Sequence, residues 1–202
     1  MKAAAALLLV LALAGCGGAQ AVPERPRTLL DAIASEIAER PVSVRCDGRE
    51  LPDLGPGSAV HGVVWFRDGK PDDHTTISPT LCRELERVRA GLSPDDAECL
   101  SSWAGLGCGE RVTRASLAVA TLAHESWHLA GVQDEPTADC YAIQTVELVA
   151  LRLGLPADQA HGLAAFAKAN HRVGQGAIYA SSQCSEGGAL DLRPGEQDGL
   201  GS

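Results

Sequence analysis

Two histidines stand four residues apart in the segment His124-Glu-Ser-Trp-His128, with Glu125 directly after the first. On a helix, residues four apart project from one face a turn apart, so both imidazoles can reach one cation. A carboxylate beside the first histidine is placed to act as a base toward water on that cation. The chemistry this pattern serves is zinc-assisted hydrolysis, because Zn²⁺ brings the pKa of bound water to about 7. Two histidines do not complete a zinc site, and a third protein ligand is required. Three acids follow closely: Asp134, Glu135 and Asp139.

The His-Glu-x-x-His core with Glu135 and Asp139 four residues apart resembles the gluzincin family of zincin metallopeptidases. That resemblance implies Glu135 as the ligand from a second helix and Asp139 as the acid that orients a histidine. The short connection Gly131 to Gln133 favours a helix hairpin. Counting back from that turn sets Glu135 beside His128 and Asp139 beside His124, where it can accept from the non-ligating nitrogen. The run His-Glu-x-x-His-x-x-Gly-x-x-Asp, ending at Asp134, is similar to the metzincins with a terminal Asp. Their Met-turn has no counterpart, since the only methionine is Met1. Glu135 is the preferred third ligand, with Asp139 and Asp134 kept as alternatives.

The longer stretch from Thr121 to Ala142 and the ending Cys184-x-x-Gly-Gly-x-Leu-Asp-Leu192 resemble a group of actinobacterial exported proteins built around a His-Glu-x-x-His core. That likeness implies fold and zinc and names no substrate. His61, His74, His171 and Tyr179 could serve as further ligands or hydrogen-bond donors, and a packing or surface role is preferred for each. Trp127, beside the metal face, is expected in the core.

Ordinary elements must position these groups. Leu29, Leu30, Ile33 and Ile37 recur at helical spacing within 28–40, and Pro41 ends that helix. Residues 42–44 read as a short strand. Residues 61–66 read as a longer strand, closed by the turn Asp68-Gly69, with a partner at 75–77. Ser78-Pro79 starts a helix to about residue 89, Ser as cap and Pro in the first turn. Residues 91–110 read as loop. A helix over 112–130 carries the histidines, Gly131 ends it, and helices over 134–153 and 157–169 follow. The expectation is an α+β, zincin-like domain, mostly helical with a small sheet, over 28–186, then a flexible tail over 187–202.

The N-terminus reads as an export signal: Lys2, an apolar run from Ala3 to Ala14, then Leu13-Ala14-Gly15-Cys16. This resembles the lipobox of bacterial lipoproteins, which implies a signal peptide over 1–15 and acylation of Cys16. Residues 16–27 would be a tether, and the protein would sit on the extracytoplasmic face of the cell membrane. The other six cysteines, an even number without a CxxC pair, read as three disulfides in an exported chain. Sequence does not choose the connectivity. The expected pairing is Cys99–Cys108 as a local loop, with Cys46–Cys82 and Cys140–Cys184 closing longer ones.

Hydrophobic residues make up 45%, enough for a packed core in one domain, while a net charge of −9 disfavours nucleic acid as a partner. The function expected is an exported zinc-dependent, metallopeptidase-like hydrolase acting on peptide or envelope protein. The alternative is a non-catalytic zinc-binding envelope lipoprotein. Glu125 favours the first, because a purely structural site has no use for it. An aromatic content of 3%, with no substrate groove to be read, favours the second.

Overall fold

The structure, a computed structural model, describes residues 28–54, 60–102, 107–174 and 183–194. The expected signal peptide, Cys16 and the tether lie outside these residues, as does Tyr179. Among the described residues, six α-helices and a small mixed sheet give a mostly helical α+β architecture.

Helix α1, Leu29–Ala38, is capped by Thr28, whose hydroxyl accepts from Asp31 N while the Asp31 carboxylate accepts from Thr28 N. The same Asp31, 2% exposed, accepts from Val44 N at 2.7 Å and so ties α1 to strand β1, Ser43–Arg45. Removing that carboxylate leaves two backbone donors without this partner. Asp31→Ala is expected to cost about 2 kcal/mol in urea unfolding, with the slope unchanged.

Strands β2, Gly62–Val63, and β5, His74–Ile77, join β1 in a sheet of order β1-β5-β2. β1 runs parallel to β5 and β2 antiparallel, with Gly62 opposite Ile77. The single strand expected over 61–66 is broken. Val64 and Trp65 leave the ladder, and Phe66–Arg67 (β3) pairs instead with Lys70–Pro71 (β4) in a hairpin across Asp68 and Gly69. Arg40 holds that hairpin to the helices: its guanidinium donates to the carbonyls of Asp72 and Leu129.

Helix α2, Pro79–Ala90, begins at the Ser78 cap with Pro in its first turn, as expected. Residues 91–110, read as loop, contain helix α3, Pro94–Ser101, capped by Ser93. α4, Glu110–Leu129, α5, Glu135–Leu153, and α6, Ala157–Gly174, complete the body. α4 is central, packed on α1, α2, α5, α6, β2 and β5. Its inward face carries Val112, Ala118, Val119, Leu122 and Leu129, all at most 1% exposed, and burial of this kind dominates the fold's stability.

The disulfides are Cys46–Cys82, Cys99–Cys108 and Cys140–Cys184, the pairing expected. Residues 187–194, expected as the start of a flexible tail, lie on α5: Gln144 donates to Leu190 O and accepts from Leu192 N. No helix among the described residues is long and apolar enough to cross a membrane.

Candidate metal centre

Both histidines occupy the last turns of α4, where the free carbonyls of the helix end favour positive charge. The helix then stops in a hydrogen-bonded reversal. Gly131 N donates to His128 O and Val132 N donates to Trp127 O, with Gly131 at φ 103°, a conformation side chains resist. Asp134 caps α5, its carboxylate accepting from the Thr137 backbone and hydroxyl. Glu135 is therefore the first residue of α5, in the turn facing the two imidazoles.

The resulting cluster is compact. His124 Nε2 lies 2.9 Å from His128 Nε2. Glu135 Oε2 lies 3.1 Å from the first and 3.4 Å from the second. Two bonds of about 2.05 Å at a tetrahedral angle set ligand atoms about 3.3 Å apart, so these separations suit a zinc-sized ion. Among the described residues this is the group of His, Cys, Asp and Glu placed to hold a metal ion. Asp139 Oδ1 stands behind it, 3.6 Å from His124 Nδ1. Asp134 is engaged as a cap. Of the three acids considered from sequence, Glu135 is the one whose oxygen meets both imidazoles.

The neighbours of each ring set its tautomer. His128 Nδ1 is 2.6 Å from Val132 O. A carbonyl only accepts, so Nδ1 carries the proton and Nε2 of the neutral ring presents a lone pair. His124 faces Asp139 through Nδ1 and so presents Nε2 in the same way. Two nitrogen lone pairs and a carboxylate oxygen then point at one another, an arrangement that repels unless a positive charge sits among them.

In the metal-free chain that charge is a proton. Burial pushes His124 down, but the Asp139 and Glu135 carboxylates outweigh it, with Glu125 adding, and its pKa rises to about 10. Glu135 is held far below the ordinary carboxylate range, first by His124 and then by His128. Metal must displace the His124 proton. Affinity for a divalent metal ion is expected to rise at least about tenfold per pH unit up to about pH 10, with at least one proton, that of His124, released per ion near pH 8, measured by titration calorimetry in buffers of different ionisation heat. In the metal-free state the raised value stabilises the fold fully below 6.5, the ordinary histidine value, and that contribution is lost as pH climbs through about 10.

Glu125 is 4% exposed. Burial first, and Glu135 also, push its pKa up, while His124, His128 and Thr75 pull it down, leaving about 7. Such a group can take and return a proton at neutral pH. Two neighbours of Glu125 were not read from sequence. Thr75 Oγ1 lies 3.5 Å from Oε2, and strand β2 passes so close that a Cβ on Gly62 would sit 2.5 Å from Oε1. A glycine inside a strand pattern is the signal that could have exposed the second.

The remaining candidates stand elsewhere. His74 is paired with Glu50 and Asp73. His61 precedes β2 and contributes its carbonyl to Ser78 N. His171 lies in the last turns of α6, its side chain outside what is described. Trp127 is partly buried and donates through Nε1 to Thr145. Phe66 sets its ring edge-on to His128, centroids 6.1 Å apart. Comparison of the chain with protein-family models, curated proteins and solved structures finds no match.

Proposed function

We propose that the chain is a zinc-dependent hydrolase of peptide bonds with a zincin-like, gluzincin-type site. It would be exported and held on the extracytoplasmic face of the membrane by lipid on Cys16. The observation that carries the reading is the convergence of His124 Nε2, His128 Nε2 and Glu135 Oε2, with a buried carboxyl of pKa about 7 at Glu125.

His124, His128 and Glu135 would hold the ion, and Asp139 and the Val132 carbonyl would keep the two rings aimed. Zinc in that position supplies Lewis acidity, polarising a carbonyl and lowering the pKa of water to about 7. Glu125 acts as base toward the attacking water and returns the proton to the departing amine, a double duty that a pKa near neutrality suits. Strand β2 packs against its carboxyl at Gly62, so the proton would be exchanged on the side that faces His124 and His128.

The test compares the wild-type domain with Glu125→Gln. Both are expected to bind one zinc, and only the wild type to cleave a broad peptide library, with turnover in the variant down by at least about 100-fold. Equal cleavage by both would refute the role of Glu125. Zinc uptake without cleavage by either would point to a zinc-binding envelope lipoprotein, the reading favoured by the near-complete enclosure of Glu125.

A further inference from the structure

On the sheet, away from the metal centre, His74 is gripped at both ring nitrogens. Nε2 is 2.8 Å from Glu50 Oε2 and Nδ1 is 3.0 Å from Asp73 Oδ1, and the side chain is only 11% exposed. Both partners are carboxylates and only accept. A neutral imidazole has one N–H, so it can donate to one carboxylate while its lone pair confronts the other. Only the doubly protonated ring satisfies both contacts. Arg45, also charged and at the cluster, donates to Glu50 Oε1 at 2.7 Å and holds Glu50 in place from β1.

We infer that Glu50, His74 and Asp73 form a proton-operated latch that fastens the segment 47–54 to strand β5 in acid and releases it in alkali. Glu50 and Asp73 are both held below the ordinary carboxylate range, His74 being the first cause, so they keep their charge in mild acid. Upstream, the Cys46–Cys82 disulfide keeps the segment's start fixed whatever the latch does. Downstream, the chain leads toward β2, whose Gly62 backs Glu125, and His74 is next to Thr75, which touches Glu125 as well. The latch thus sits where the sheet side of the metal centre is anchored, and it operates whether or not the centre hydrolyses anything.

Amide hydrogen exchange over residues 47–54 tests this in the full chain at about pH 5.5 and about pH 9, after correction for intrinsic exchange rates. Wild type is expected to lose protection at least about tenfold in this segment at the higher pH, while the inner face of α4 keeps its protection. His74→Gln, which can still donate to one carboxylate, should remove the pH dependence. Glu50→Gln should remove it too while leaving the His74–Asp73 contact, and it serves if His74→Gln fails to fold. Unchanged wild-type protection, or the same pH dependence in Glu50→Gln, overturns the latch.

Discussion

At the proposed zinc site, His128→Ala and Glu135→Ala are each expected to weaken binding by more than about 100-fold, since loss of a direct ligand should exceed the roughly 10–100-fold cost of losing a group that orients one. Asp139→Asn should fall within that lower range, because it takes charge from behind His124 without removing a ligand. Asp134→Ala should leave affinity nearly intact and cost about 1 kcal/mol as a lost helix cap. The ranking follows from geometry, since Glu135 Oε2 meets both imidazoles while Asp134 is turned to Thr137. Competition against a chromophoric chelator gives the affinities. Thermal melts supply a second reading: zinc at about 100 times Kd is expected to stabilise the wild type by about 2.7 kcal/mol, and at the same concentration should barely shift the His128→Ala and Glu135→Ala variants. Zinc loss in Asp134→Ala with retention in Glu135→Ala would return the site to the metzincin-like ligand order.

Legibility in the sequence followed the range of the interactions. The pair His124 and His128, and the turn that brings Glu135 to them, depend on contacts within about a dozen residues, and spacing alone reports these. The three helices α4, α5 and α6 were legible for the same reason, through apolar periodicity and the stops at Gly131 and Gly154. Helix α3 was missed although Ser93, Pro94, Asp95 and Asp96 form an ordinary helix start. Eight residues with one buried side chain, Leu100, leave too little periodicity to read. The break between β2 and β3 was hidden for another reason. Residues 61–66 are uniformly suited to a strand, and what divides them is pairing with different partners, Thr76 and Ile77 on one side and Lys70 and Pro71 on the other. The docking of 187–194 on Gln144 was equally invisible, being a contact between segments more than forty residues apart. The disulfide pairing falls between these cases, since parity and export context gave the number but not the partners.

Gly62 is where packing and the candidate chemistry meet. A Cβ there would overlap Glu125, 2.5 Å from Oε1 and 2.7 Å from both Cδ and Cγ, distances at which something must move. The neighbour is not the free end of an exposed chain, because Glu125 is 4% exposed between α4 and the sheet. Gly62→Ala is therefore expected to destabilise the fold by about 3 kcal/mol through overpacking, although alanine is the better residue in most strands. In an Glu125→Ala background the carboxyl that obstructs the methyl group is gone, and the same change should cost under about 1 kcal/mol. The double-mutant cycle should then show a coupling of about 2 kcal/mol, large for a pair without a hydrogen bond. Zinc stoichiometry is expected to stay at one throughout, since the residues proposed to hold the ion lie on α4 and α5 and none on β2. Cleavage, where the wild type shows it, should fall in Gly62→Ala as the carboxyl proposed to act as base is displaced. Additive stabilities would mean that β2 does not press on Glu125. The strand would then not be what keeps solvent from that carboxyl, and its raised pKa would need another source.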